Sequence, residues 1–406
     1  MEKIVVCGGK PLYGSIKIQG SKNACLPLIF ASIAMRGVSV LDNVPDIGDV
    51  RHALDIVASF GAEIERSDNR VVINADKLIY KTPSLSSVSK LRASTYLIGA
   101  CLSRFGKAEI MDFGGCNFGK RPIDMHVDSA LALGAIQDGD ALYAKRLCGT
   151  EINLRKPSVG ATINTLIMAS QADGTTVIKG AAKEPHVSSL VCFLRSGGAD
   201  IREEEDKITV IGKRISGGYS SVIPDMIEAG TYLLLSPLTS GRVSVDFKIL
   251  QPLCAYLGAL CAGGIRAFLE DGFLRLDGEL LKPIDVCTGP YPEFPTDLQP
   301  QMTPLMAKCF GGTITETVWQ DRFNYLTSLA PLGVRFERES NKVRIFRSEF
   351  NSGDTVATDL RGGAACLLLA LATKGESCIY NPEVILRGYS DLCKNLIAIG
   401  ADIKII

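Results

Sequence analysis

One unit recurs six times along the chain, and it constrains the fold more than any other feature. An amphipathic, helix-like run ends at a glycine, a short polar stretch follows, and an alternating strand comes next. The runs are 52–60 before Gly61-Ala62, 129–133 before Gly134-Ala135 and 187–196 before Gly198-Ala199. The other three are 252–261 before Gly264-Ile265, 324–332 before Gly333-Val334 and 392–399 before Gly400-Ala401. Each glycine suits a helix C′ position, where the chain turns left-handed and a Cβ would be costly. Hairpin signals follow, as in Glu63-Ile64-Glu65 turning at Asp68-Asn69 into Val71-Val72-Ile73, and again at Asp206-Lys207 and Asn341-Lys342. The period of roughly 65 to 70 residues lies above the ~20–50 residues of solenoid repeats. This predicts an α/β chain of α+β subdomains, six βαβαββ-type units with three per domain. The break falls near Ile223-Pro224-Asp225, giving a first domain of 21–224 and a second of 1–20 plus 225–406. The short strands at 4–7 and 15–19 have no helix unit of their own and would suit either domain; they are grouped here with the second.

At 406 residues the chain can fill two domains. Its formal net charge of zero argues against non-specific binding to nucleic acid or an anionic membrane. Any anion site must then be a local gathering of cations. The 13 cysteines are scattered, without a C-x-x-C pair, and the three histidines (His52, His126, His186) are far apart, so no zinc-ligand spacing appears. So many thiols point to a reducing compartment, and the first residues have neither the apolar stretch nor the cleavage site of a signal peptide. The apolar run 364–371 is too short to span a bilayer. A cytoplasmic protein is expected.

The chemistry gathers at 112–126, Asp-Phe-Gly-Gly-Cys-Asn-Phe-Gly-Lys-Arg-Pro-Ile-Asp-Met-His. A strand-like run (108–111) enters it and a helix-like run (127–133) leaves it. An ordinary glycine-rich turn is one reading. A phosphate-binding P-loop is another, since Gly114 to Lys120 fits G-x-x-x-x-G-K, but Arg121 stands where a Ser or Thr should hold Mg²⁺. The third is a mobile catalytic loop. There Cys116 has its thiolate favoured by nearby cations, and Arg121 is suited to bidentate phosphate contact. Elsewhere, Lys22 follows Ser21, a reasonable N-cap, at the start of an apolar helix-like stretch in which Pro27 would occupy the first turn. A lysine there opposes the helix dipole unless both converge on an anion. Arg92 repeats the theme. Asp297 lies among Pro292, Pro295 and Pro300, either as part of a Thr296-Asp297 helix cap or as a positioned general base. Asp359, Arg361 and Arg387 stand near further helix starts, and Arg322 reads as an isolated cation.

Taken in order, these motifs resemble the UDP-N-acetylglucosamine 1-carboxyvinyltransferase family of enolpyruvyl transferases, essentially end to end. The resemblance rests on 20–24 (Gly-Ser-Lys-Asn-Ala), 91–94 (Leu-Arg-Ala-Ser), the Cys116 loop, 156–162 (Lys-Pro-Ser-Val-Gly-Ala-Thr) and 294–299 (Phe-Pro-Thr-Asp-Leu-Gln). It continues through 314–318 (Ile-Thr-Glu-Thr-Val), 358–361 (Thr-Asp-Leu-Arg) and 387–389 (Arg-Gly-Tyr). It implies a two-domain inside-out α/β barrel, consistent with the six units read from periodicity. It also implies transfer of the enolpyruvyl group of phosphoenolpyruvate to the 3′-hydroxyl of UDP-N-acetylglucosamine, with phosphate released and without metal or other cofactor. The expected partners are those two small molecules, with no nucleic acid or membrane, on a monomer. By resemblance Cys116 donates the proton to phosphoenolpyruvate and Asp297 is the base, while Lys22, Arg121 and Arg387 hold phosphate and carboxylate. Asn23, Arg92 and Asp359 line the site, and Arg121, Pro122, Ile123, Asp124, Met125, Lys156, Pro157, Ser158, Val159, Asp297 and Val318 contact the nucleotide sugar. Departures from the family pattern are Met226 in place of an arginine, the bulkier Phe118 and Lys120, and Pro157 in place of valine. Two alternatives remain: another acceptor, such as shikimate 3-phosphate or a different nucleotide, or a silent homologue that binds UDP-N-acetylglucosamine.

Overall fold

The computed structural model describes residues 2–114, 122–247 and 250–406. Its backbone separates into two compact units, one of residues 2–19 and 224–406 and the other of residues 20–223 less the undescribed segment. They are called here the Asp297 unit and the Lys22 unit. Among the described residues there are five four-stranded sheets and one of three strands.

The five larger sheets share one plan. A parallel edge strand is followed by a central strand, and two antiparallel strands complete the order. In the Lys22 unit, for example, Glu151–Asn153 pairs in parallel with Gly174–Lys179, which then pairs antiparallel with Lys207–Gly212. The same arrangement runs Ile284–Cys287, Gly312–Thr315, Lys342–Ile345 and Phe336–Glu339 in the Asp297 unit. A parallel pair requires a crossover; in three of the five sheets it is one buried helix, whereas Tyr13–Lys17 with Arg242–Asp246 and Val38–Asp42 with Tyr219–Ser221 pair across long stretches of chain. This yields the β–α–β–α–β–β unit expected from the periodicity. The sheets stay six separate open sheets, with no closed strand barrel among the described residues.

The inner helices explain why helices lie inside and sheets outside. In the Lys22 unit they are α1 (Lys22–Ala34), α2 (Leu97–Phe105) and α3 (Val159–Gln171). In the Asp297 unit they are α4 (Met226–Leu233, continued by Leu235–Thr239), α5 (Gln299–Lys308) and α6 (Leu360–Ala372). Helix α1 is apolar all round and buries every residue from Ala24 to Ala34, as a helix without a polar face must. Helix α6 likewise buries Leu360 to Leu371. The helix Gly48–Ser59 is instead amphipathic and packs one face, burying Val50, Ala53, Leu54, Ile56 and Val57. Each unit therefore has its own apolar core. No helix among the described residues is long and apolar enough to cross a membrane.

The six glycines that marked the units all take the left-handed turn. Their φ values are 97° at Gly61, 96° at Gly134, 103° at Gly198, 114° at Gly264, 98° at Gly333 and 98° at Gly400. Two local expectations change. Pro27 lies inside α1 beyond its first turn, where a proline ordinarily costs about 3 kcal/mol; burial of the whole helix offsets that. Ser21 occupies the N-cap position of α1, but its side chain makes no capping hydrogen bond.

Candidate active site

In the Lys22 unit, the residues singled out by the sequence sit where the inner helices begin. Lys22 is the first residue of α1, and its Nζ lies 3.2 Å from Asp49 Oδ2, with both side chains mostly buried. Its neighbour Asn23 is half-buried. Arg92 opens the 3₁₀ turn Arg92–Tyr96 that runs into α2, and one of its Nη atoms donates to the Phe113 carbonyl over 3.2 Å. It thus holds the chain two residues before Gly115. Ser158 caps α3, its Oγ accepting from the Ala161 N–H at 3.4 Å, and Val159 begins the helix. Lys156 and Pro157 are exposed just ahead of it.

Pro122 is exposed and Ile123 half-buried, and they lead into the helix Asp124–Ala132. Asp124 is exposed and accepts from Arg155, while Met125 is buried. Next to it, His126 is 5% exposed, and its Nδ1 lies 2.7 Å from the Asn164 amide nitrogen on α3. Burial first, then the Arg92 charge, pulls its imidazolium down to about 4, against the smaller opposing effect of Asp124. Cys116 and Arg121 lie outside the described residues, as do Phe118 and Lys120.

In the Asp297 unit, one carboxylate organises its surroundings. Asp297 Oδ1 accepts from Arg322 at 3.2 Å, and Oδ2 accepts from Arg361 Nε at 3.3 Å and Nη2 at 3.2 Å. Both guanidiniums are almost fully buried. The capping alternative for Asp297 falls: the N-cap position of α5 is Leu298, and the Thr296 hydroxyl donates instead to Glu316 over 2.9 Å. Nor is Arg322 isolated. Its side chain is one of the largest fully buried ones in the protein, and a charge so placed needs a partner.

Behind Asp297 the polar network continues. Arg361 also donates to the Tyr389 hydroxyl at 3.3 Å, and that hydroxyl shares a 3.0 Å hydrogen bond with Thr231. Burial alone would lower the Arg361 guanidinium, but Tyr389, Asp297 and Asp225 outweigh it and hold its pKa above the ordinary value. Asp359 caps α6, accepting from the Arg361 and Gly362 N–H groups at 3.1 and 3.0 Å. Asp225 caps α4 in the same manner. Glu316 is buried and binds the Val318 and Trp319 N–H groups at 2.8 and 3.1 Å. Through Thr296 it ties the Val318 turn to the segment that carries Asp297. Arg387 is half-buried at the end of the short helix Pro382–Leu386. Met226 packs against the apolar core of this unit.

The chain matches the EPSP synthase family (3-phosphoshikimate 1-carboxyvinyltransferase) over residues 6–396. It belongs to that family. Within the family, it is 38% identical over 412 residues to a UDP-N-acetylglucosamine 1-carboxyvinyltransferase of Halothermothrix orenii, covering 100% of this chain and 99% of that protein. It is 39% identical over 414 residues to UDP-N-acetylglucosamine 1-carboxyvinyltransferase 2 of Clostridium acetobutylicum, with the same coverage. The fold is shared with the enolpyruvyl transferase NikO of Streptomyces tendae (TM-score 0.87, 24% identity, 100% and 99% of the two chains). It is also shared with EPSP synthase of Acinetobacter baumannii (TM-score 0.76, 16% identity, 100% of both chains).

As a member of the EPSP synthase family the chain was recognisable from its motifs, but several partners of the candidate residues were not. Asp49 beneath Lys22, the Arg322–Asp297–Arg361 clamp and the His126–Asn164 pair join residues 27, 25, 64 and 38 positions apart. The sequence signal for Arg361 was its place two residues after an N-cap aspartate, with small residues following. At Gly362 a Cβ would stand 2.4 Å from that of Tyr325, so the helix start fits tightly against its neighbours.

Proposed function

We propose that this chain transfers the enolpyruvyl group of phosphoenolpyruvate to the 3′-hydroxyl of UDP-N-acetylglucosamine and releases phosphate, the first committed step of peptidoglycan synthesis. The end-to-end relation to proteins named for that activity, at 38% and 39% identity, carries the reading. Cell shape and division depend on the same step, and the working compartment is the cytoplasm, with the enzyme acting as a monomer.

The chemistry is addition followed by elimination. The sugar hydroxyl oxygen bonds to carbon-2 of phosphoenolpyruvate as carbon-3 takes a proton from Cys116, and the hydroxyl proton passes to Asp297. The tetrahedral phospholactyl intermediate then loses a carbon-3 proton and expels phosphate, restoring the double bond. Lys22, Arg121 and Arg387 stabilise the phosphate and carboxylate charge. Asn23, Arg92 and Asp359 shape the site. The nucleotide sugar is held by Arg121, Pro122, Ile123, Asp124, Met125, Lys156, Pro157, Ser158, Val159 and Val318. The domain boundary of this reading falls at 20/21 and 224/225, and closure of the loop around Cys116 excludes water.

Asp297 supports this assignment with a condition attached. Both its oxygens already accept from guanidiniums, so it is held in one orientation. To take up the hydroxyl proton it must present an acceptor site to the substrate hydroxyl beside these guanidinium hydrogen bonds.

The test is phosphate release from phosphoenolpyruvate with UDP-N-acetylglucosamine, UMP or shikimate 3-phosphate as acceptor. Release with the first alone is expected; release only with another acceptor keeps the chemistry and overturns the substrate. The thiol gives an independent check. An epoxide phosphonate such as fosfomycin should alkylate Cys116, and Cys116→Asp should abolish the label while turnover persists. Labelling at another cysteine would contradict the assignment.

A further inference from the structure

We propose that Gln19 is a positioning residue for this reaction: its side-chain amide clamps the main chain at 388–390 and thereby fixes where Arg387 stands. The proposal rests on the function given above for the role of Arg387, the holding of phosphate and carboxylate charge. It adds a side chain that touches no substrate and acts through that arginine.

The clamp grips at two points. Gln19 Nε2 donates to the Gly388 carbonyl over 2.7 Å, and Oε1 accepts from the Ser390 N–H over 2.7 Å. The Ser390 hydroxyl donates to the same Oε1. Reversing the amide would set oxygen against oxygen at Gly388 and NH₂ against N–H at Ser390, so its orientation is fixed. A carbonyl and an N–H two residues apart are what a peptide group meets on a neighbouring strand, and a primary amide offers the same donor and acceptor. Glutamate would lack the donor, and asparagine would lack the reach.

The other end of the clamp is anchored as firmly. The Gln19 N–H donates to Glu228 Oε2 over 2.8 Å, and the Gln19 carbonyl accepts from the Asp225 N–H over 2.9 Å. Asp225 is the N-cap of α4 and Glu228 lies in its first turn, both buried. Gln19 is thus tied by its main chain to the start of α4 and by its side chain to the turn after Arg387. Between the two clamped residues, Tyr389 is buried, and its hydroxyl meets Arg361 and Thr231. The Gly388 N–H closes back on the Ile385 carbonyl at 3.1 Å. A Cβ on Gly388 would stand 2.7 Å from Leu360 Cδ1, so glycine lets the turn lie against the first residue of α6. Arg387 and the Asp297–Arg361 pair therefore share one frame, built on the starts of α4 and α6. Gln19 joins that frame as the last residue of its segment before the chain passes to the Lys22 unit. A misplacement of about 1 Å in a group that holds substrate can cost about 10²-fold in rate, so fixing this turn bears directly on turnover.

The experiment is a double-mutant cycle with a structural readout beside it. Gln19→Leu keeps the bulk of the side chain and removes both hydrogen bonds. It should lower kcat/KM for phosphoenolpyruvate about tenfold or more and leave KM for UDP-N-acetylglucosamine unchanged. Arg387→Lys replaces the rigid fork by a charge on a flexible stem, which depends less on where the main chain stands. In that background Gln19→Leu should cost no more than about twofold. Hydrogen exchange at the Ser390 N–H, read by mass spectrometry, should be slow in the wild type and faster in Gln19→Leu. Equal losses in both backgrounds would put the effect at Lys22 or in the fold at large and overturn the proposal. So would a change confined to KM for UDP-N-acetylglucosamine, or a wild-type Ser390 N–H that exchanges as freely as in an open chain. If Gln19→Leu does not fold, Ser390→Ala decides: a lower kcat/KM for phosphoenolpyruvate alone supports the clamp, and an unchanged one overturns it. A protein with a protected Ser390 N–H that turns over no acceptor would sink the proposed function and leave the clamp itself in place.

Discussion

Asp297 is gripped on both oxygens by arginines that are themselves almost out of reach of water. Coulomb attraction is strong in such a place, and so is the cost of leaving either charge alone. Asp297→Asn keeps the shape and removes the charge. It should lower the rate of phosphate release by about 10²- to 10⁴-fold, the usual worth of a positioned acid or base. A loss under about tenfold would return Asp297 to a binding role. His126 carries a second prediction. Its pKa is about 4 in the folded protein against a usual 6.5, so the unfolded chain binds the proton more readily between those values. The stabilisation is complete above pH 6.5 and is lost progressively as pH falls toward 4, by about 3 kcal/mol in all. Urea unfolding at pH 7.5 and 5 should show that slope in the wild type and its absence in His126→Phe. Which residues carry charge was legible in the sequence. Which charges meet was not, since Arg322 and Arg361 reach Asp297 only through the packing of separate elements.

The six C′ glycines show what local sequence does specify. A left-handed residue costs a non-glycine side chain about 1–2 kcal/mol, and that penalty acts wherever the turn is made, whatever packs around it. The glycines differ in what surrounds them. A Cβ at Gly198 or Gly400 would meet nothing within 4 Å, whereas at Gly333 it would stand 2.3 Å from the Glu349 carbonyl oxygen. Gly400→Ala should therefore cost about 1–2 kcal/mol and Gly333→Ala clearly more, both read from chemical denaturation. Equal losses would mean that backbone conformation alone governs the site. The apolar crossover helices were legible for a similar reason: a helix without a polar face has nowhere to go but inside. Pro27 was misplaced because its penalty is local while the burial that offsets it is not. Helix capping misled twice, at Ser21 and Asp297, because a capping residue type is only a candidate until the hydrogen bond is seen.

For the whole molecule, repetition made the architecture readable. Five sheets on one plan and a three-stranded sixth among the described residues supply two apolar cores, and the first residues of the buried helices are where charged side chains collect. The Lys22 unit gathers Lys22, Arg92 and the α3 amino terminus; the Asp297 unit gathers Asp297, Arg322, Arg361 and Asp359. The order of motifs pointed to the family, and the full-length match of residues 6–396 shows it. The pairings that tune each charge emerged only in three dimensions. The central claim, that this chain moves an enolpyruvyl group onto a nucleotide sugar, is tested most directly on the product. UDP-N-acetylglucosamine and phosphoenolpyruvate would be incubated with the enzyme, and the nucleotide sugar identified by mass and NMR. The account predicts a carboxyvinyl ether at the 3′-oxygen, formed one for one with free phosphate. Unmodified UDP-N-acetylglucosamine, with phosphoenolpyruvate intact or hydrolysed to pyruvate, would contradict it.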